Sequence, residues 1–196
     1  VRRSAQVAGV WHAAGVLADA VLARQDAPAL ARVCAPKAHG AWSLHNACAA
    51  AAVGAFVLFS SVAALLGGAA QANYAAANAC LDALASSRHA RSLVGVSVQW
   101  GAWAEVGMAS RGVASTRMAA MEVASGFGRI GLAQGLTVLC AAALPRALPC
   151  LGAVPVQWDR LLGSNIEVAA FLSDVAPRCG QRVSSTTAAL ATAVQR

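Results

Sequence analysis

Ala55-Phe-Val-Leu-Phe-Ser-Ser61 is an unbroken apolar run that stops at two serines, and a little further on the chain reads Gln71-Ala-Asn-Tyr-Ala-Ala-Ala-Asn78. An apolar run of strand length bounded by turn residues reads as a buried strand, and the alanine-rich stretch after it as a helix over about Asn73 to Ser87. The same alternation extends outward in both directions. A strand from Val7 to Trp11 runs into Ala13-Ala14-Gly15, and a helix spans Pro36 to Ala52. After the central pair come a strand from Leu93 to Trp100 ending at Gly101, a helix over Ile130 to Ala143 and a strand over Leu151 to Val156. Strands alternating with helices predict an α/β fold, a parallel open sheet with helices on both faces. Such sheets bind ligands beyond the carboxyl ends of their strands. Here those ends carry Ala13-Ala14-Gly15, Ser60-Ser61 and Trp100-Gly101-Ala102-Trp103.

Composition narrows the function classes. With 58% hydrophobic and 12% charged residues in 196, the chain has the material for one sizeable core and is not a disordered one. The net charge of +7 comes from scattered arginines without interleaved aromatics, which argues against a nucleic-acid partner. Cysteines 34, 48, 80, 140, 150 and 179 show no Cys-x-x-Cys spacing and read as small, buried, reduced side chains in a cytoplasmic protein. Histidines 12, 39, 45 and 89 form no metal-binding pair. No charge occurs from Ala47 to Leu81, but Ser60, Ser61, Gly67, Gly68, Gln71, Asn73 and Asn78 interrupt that run, so it reads as a buried strand flanked by helices and not as a membrane span. Residues Ala104 to Phe127 have no sustained period and would suit a lid over a cleft or, equally, an ordinary surface loop. The expected division is a catalytic domain over 1–162 and a linker or tail over 163–196.

Two rarities point to chemistry. Of 15 basic residues Lys37 is the only lysine, and Tyr74 is the only tyrosine. A hydroxyl at Ser61, an acid at Tyr74 and a cation at Lys37 suit a reaction that develops negative charge on a carbonyl oxygen. A free phenol titrates near about 10, and a neighbouring ammonium would lower that value. Tyr74 and Asn78 lie one turn apart on one helix face, where Asn78 could hold a water or orient Lys37. Ser61 lacks the Gly-x-Ser-x-Gly elbow of a serine hydrolase. A Gly-x-Gly-x-x-Gly turn is also missing: nothing before Gly40 has that form, and Gly67-Gly68 follows the wrong element. The sheet is therefore expected to be N-terminally truncated, its first strands and glycine-rich turn lying upstream. A chain that does not begin with methionine fits a piece of something longer.

At Phe56-Val-Leu-Phe-Ser-Ser61, Gln71 to Asn78 and Val98-Gln-Trp-Gly-Ala-Trp103, the chain resembles the ketoreductase domain of modular type I polyketide synthases, a branch of the short-chain dehydrogenase/reductase superfamily. The likeness runs from about Val7 to Leu162. It includes His12-Ala-Ala-Gly-Val-Leu17, Pro36-Lys-Ala-His-Gly-Ala41, Gly107-Met-Ala109 and Val156-Gln-Trp-Asp-Arg160. Order and mutual spacing make the match specific.

The resemblance implies a Rossmann-like sheet and a catalytic set of Lys37, Ser61, Tyr74 and Asn78. The lysine lies on the preceding helix instead of one turn after the tyrosine. Ala14, Gly15, Lys37, Tyr74, Trp100 and Gly101 would line NADPH. Asp19, Leu66 and Met108 would bear on substrate and stereochemistry: Leu17-Ala18-Asp19 keeps the final aspartate of a B-type Leu-Asp-Asp, and Leu66 stands where the other class has tryptophan. The implied reaction is NADPH-dependent reduction of a 3-ketoacyl thioester on an acyl carrier protein, among other polyketide synthase domains in the same chain. The alternative is a noncatalytic fragment or pseudo-reductase with an incomplete cofactor site, and the coding sequence upstream of Val1 would separate the two.

Overall fold

A computed structural model describes residues 7–106, 126–162 and 170–175. These residues fall into two compact units. The first holds 7–100 and 136–153; the second holds 101–106, 126–135, 154–162 and 170–175.

The first unit is built on four parallel strands in the spatial order of the sequence: β1 (Gly9–His12), β2 (Ala55–Ser61), β3 (Val96–Trp100) and β4 (Cys150–Ala153). The alternation of the sequence is thus realised as a parallel α/β sheet. His12 pairs with Leu58, and Ser61 with Trp100, so the strands end at a common rim. Between them run α1 (Ala27–Cys34), a π-helical turn (Ala35–His39), α2 (Gly40–Ala47), α3 (Ala63–Leu66) and α4 (Ala72–Ala90), and α5 (Leu132–Ala142) leads to β4.

Alternate residues of β2 divide the sheet into two faces. Phe56 and Leu58 pack with Ala41 of α2 and with Leu81, Leu84 and Ala85 of α4, forming the main core. Full burial of side chains of this size contributes about 1.5–3 kcal/mol each. Ser97 and Gln99 of β3 share that face, and both donate to Asp82 of α4, Ser97 Oγ at 2.6 Å and Gln99 Nε2 at 2.8 Å. One carboxylate thereby pins α4 to β3. Val57 and Val98, on the opposite face, are fully buried.

Where the helices begin departs from expectation. Asp26 caps α1, its Oδ1 accepting from the Ala29 N–H at 2.8 Å, with a proline in the first turn. Pro36, read from sequence as a helix start, is instead inside the helical run, which accommodates the missing N–H by widening into the π turn. The run also ends earlier, at Ala47. The alanine-rich α4 ends in a Schellman pattern, Leu93 N to Arg88 O and Ser92 N to His89 O, both 2.9 Å. This places Ser92 at φ 57°, a position that favours glycine.

The last turn of α4 carries a buried cation. Arg88, 2% exposed, stacks on Phe56 with its guanidinium 3.8 Å from the ring centroid, donates Nε–H to Val94 O at 2.8 Å and reaches His45 Nδ1 at 2.7 Å. Because guanidinium only donates, His45 must accept there with an unprotonated Nδ1. The sequence expectation of buried cysteines fails at Cys80 and Cys140, which are exposed; the five described cysteines are all free.

In the second unit, Trp103 bridges Ile130 in parallel and Phe127 bridges Val156 antiparallel, followed by α6 (Trp158–Leu162). Gly126 has φ 82°, and a Cβ there would come within 2.8 Å of the Gln157 carbonyl oxygen. Most of the expected lid over 104–127, and most of the expected tail over 163–196, lie outside the described residues. Among the described residues no helix is long and apolar enough to cross a membrane.

Candidate active site

Lys37 occupies the middle of the π turn and is 3% exposed. Its ammonium donates to the Phe59 carbonyl oxygen at 2.9 Å and stands 5.2 Å from the centroid of the Tyr74 ring. The methylene stem crosses Gly15, where a Cβ would lie 2.9 Å from Lys37 Cε and 3.5 Å from Nζ. The small residue expected to admit a cofactor therefore admits the lysine. Burial pushes the ammonium down to about 8, against the charge of Asp82, which pulls it up.

Tyr74 sits in the first turns of α4, buried with Val33 of α1, Ala63 of α3 and Ala77. Asn73 fixes that turn. Its Oδ1 accepts from Tyr74 N at 2.7 Å, and its Nδ2 donates to Ala18 O at 2.9 Å. Burial raises the phenol above its ordinary value; hydrogen bonding with Asn78 and Ser61 pulls it down, and the charge of Asp19 raises it. An ammonium that lowers the phenol was the sequence expectation, whereas here Lys37 faces the ring and burial dominates. The phenol is thus held protonated at neutral pH, the form that can donate to a developing oxyanion.

Ser61 ends β2, half-buried, its Oγ accepting from the Ala63 N–H at 3.2 Å and lying within hydrogen-bonding reach of the Tyr74 phenol. Asn78 is fully buried. Its Nδ2 bonds back to the Tyr74 carbonyl oxygen at 2.8 Å, and its Oδ1 has no partner. A buried acceptor left open at this place suits a donor from outside the chain, such as a water or a hydroxyl.

Asp19 lies on the loop after β1, its Oδ2 accepting from Gln71 Nε2 at 3.2 Å, and Ala20 N bonds to Ala70 O at 2.9 Å. Leu66 closes α3. Ala14 is exposed on the loop leaving β1. Trp100 ends β3, 6% exposed, its ring 5.6 Å from that of Phe59 by centroids, so its indole is part of the packing. Gly101 belongs to the second unit, and Met108 lies outside the described residues. The structure therefore brings Lys37, Tyr74, Asn78 and the end of β2 together.

Sequence reasoning missed three supporting residues. Asp82 had a signal, as the only carboxylate between Asp26 and Glu105. Asn73 had one in its adjacency to Tyr74. His12, whose Nε2 lies 3.1 Å from the Lys37 carbonyl oxygen, had one in opening the His12-Ala-Ala-Gly stretch at a strand end.

A model of the KR domain matches residues 1–105, more than half of the chain. Polyketide synthase GfsA of Streptomyces halstedii is 46% identical over 102 residues, covering 52% of this chain and 1% of that protein. Among solved structures, the first ketoreductase of the tylosin PKS is 36% identical with a TM-score of 0.69, covering 79% of this chain and 33% of its own. A structure of A-type ketoreductases from a modular polyketide synthase is 34% identical with a TM-score of 0.73, covering 82% and 34%. The chain thus spans about a third of the solved ketoreductase chains it matches and a small fraction of the curated synthase. It belongs to the KR, or ketoreductase, domain family of polyketide synthases.

Proposed function

We propose that this chain carries the proton-donating part of an NADPH-dependent ketoreductase that converts a 3-ketoacyl thioester on an acyl carrier protein to the 3-hydroxyacyl thioester. The reaction would take place within a cytoplasmic polyketide synthase, with other domains of that synthase as partners. The observation that carries the proposal is the convergence of the chain's only lysine and only tyrosine, 5.2 Å apart, with Asn78 one turn along the same helix.

NADPH, when bound, supplies the hydride. The chain's residues fit such a group: a buried ammonium, a buried phenol and the open Asn78 Oδ1 form a donor and acceptor set that a hydroxylated, charged cofactor can complete. Ala14, Gly15, Lys37, Tyr74 and Trp100 of the first unit would hold it. Tyr74 gives its proton to the carbonyl oxygen, Ser61 adds a second hydrogen bond there, and Lys37 and Asn78 keep the phenol placed. Asp19, on the loop tied to Gln71, and Leu66 at the end of α3 would orient the substrate toward the B-type hydroxyl.

In the complete ketoreductase, Tyr74→Phe should lower NADPH oxidation with a 3-ketothioester by at least about 10²-fold. Fluorescence titration should still show NADPH binding, tighter than NADH. A fully active Tyr74→Phe enzyme overturns the mechanism. Chiral analysis of the product from Asp19→Ala tests the stereochemical part, and unchanged configuration and purity would remove Asp19 from it.

A further inference from the structure

We infer that His12 is a positioning residue for Lys37, acting through the backbone of the π turn, and that Gly40 is glycine to leave room for its ring. The inference rests on the ketoreductase reading above and names a residue beyond the four that reading uses.

His12 is the last residue of β1 and is 7% exposed. Its Nε2 lies 3.1 Å from the Lys37 carbonyl oxygen. A carbonyl oxygen can only accept, so the imidazole carries its proton on Nε2. Within the π turn the Gly40 N–H is shared between the carbonyls of Ala35 and Lys37. His12 gives the Lys37 carbonyl a donor of its own, in a buried place where a carbonyl needs one.

A Cβ on Gly40 would stand 3.1 Å from His12 Cε1 and 3.6 Å from Nε2, closer than carbon atoms ordinarily approach. A side chain at 40 would push the ring off the carbonyl.

Strand register turns this contact into a positioning device. His12 pairs with Leu58, and the residue after Leu58, Phe59, supplies the carbonyl that holds the Lys37 ammonium. The backbone of Lys37 is therefore anchored on β1 and its side-chain tip on β2, while Gly15 bounds the stem between them. Two adjacent strands fix both ends of one lysine. Removing the β1 anchor leaves the ammonium free to swing toward water.

The test uses the complete ketoreductase labelled with ε-13C-lysine, the Lys37 resonance being assigned by its loss in Lys37→Arg. The wild-type resonance should titrate at about 8. His12→Gln, which keeps an N–H at the Nε2 position, should leave that midpoint in place. His12→Leu and Gly40→Ala should each move it up by more than about one unit toward an ordinary lysine. Both should lower kcat by about tenfold or more, with KM changing less than about threefold.

A purely structural role would move thermal stability without moving the titration. Wild-type titration and kcat in His12→Leu overturn the inference, as does a His12→Gln variant that loses as much as the leucine. If His12→Leu does not fold, Gly40→Ala decides, and a wild-type midpoint there is equally fatal. Retained activity in Lys37→Met would sink the catalytic reading alone, since the titration still judges the His12 anchor.

Discussion

The Lys37 ammonium stands 5.2 Å from the Tyr74 ring centroid but gives its hydrogen bond to the Phe59 carbonyl. The lysine is thus bound to the strand while the phenol belongs to the helix, and burial acts on both in the direction of neutrality. A buried ammonium beside a protonated phenol costs the fold stability at neutral pH, where the lysine still carries its proton.

The buried ammonium makes stability depend on alkaline pH. The folded state gives up the Lys37 proton near about 8, whereas the unfolded chain keeps it to 10.5, so between those values the unfolded state holds more protons and stability rises with pH. Below pH 8 the cost is fully present, at about 3 kcal/mol. Urea midpoints should climb over this window in the wild type, and Lys37→Met should be more stable at pH 7 and show a smaller climb.

Gly15→Ala should act on Lys37. The added methyl would lie 2.9 Å from Cε, and the stem must move to escape it. A displacement of that order at a catalytic group can cost about 10²-fold in rate. Steady-state NADPH oxidation should fall on that scale while circular dichroism stays unchanged.

Asp82→Asn should weaken α4 against β3. The carboxylate accepts from both Ser97 and Gln99, and charge-assisted bonds of this kind contribute about 1.5–3 kcal/mol each, part of which an amide retains. A loss of about 2 kcal/mol in equilibrium denaturation is expected. Because the Asp82 charge supports the Lys37 ammonium, lysine titration in the same variant should shift further down.

Acid should attack the base of α4. His45 accepts from Arg88, and burial first, then the charges of Arg88 and Arg91, hold its pKa below the ordinary 6.5. As pH falls below 6.5 the unfolded chain takes up the proton before the folded one, and stability drops. Denaturation midpoints should decline from pH 6.5 downward. His45→Phe should flatten that decline, at the cost of a lower plateau, because Arg88 loses an acceptor.

The succession of strands and helices and the parallel sheet were legible in the sequence because apolar runs of strand length alternate with alanine-rich segments, a pattern set by local periodicity. Ser61, Tyr74 and Asn78 could be placed for the same reason: they fall at a strand end and on a helix face. Lys37 could be singled out by rarity, but its surroundings could not be derived. Its neighbours His12, Gly15 and Phe59 come from other elements, and the partner at Phe59 is a backbone carbonyl, which no side-chain pattern reveals. Pro36 misled, since its usual meaning as a helix start was overridden by packing that keeps the helix running through it.

That interruption has a geometrical consequence. A π turn inserts one residue without ending the helix, which changes the phase of everything after it by about 100°. With the present phase Ala41 and His45 of α2 face inward and Trp42 is half exposed. Deleting one residue between Ala35 and His39 would let hydrogen bonding revert to the regular ladder, yet would turn the inward residues of α2 away from β2 and separate Lys37 from its anchors. A chain one residue shorter there would form a more regular helix and lose the lysine's address.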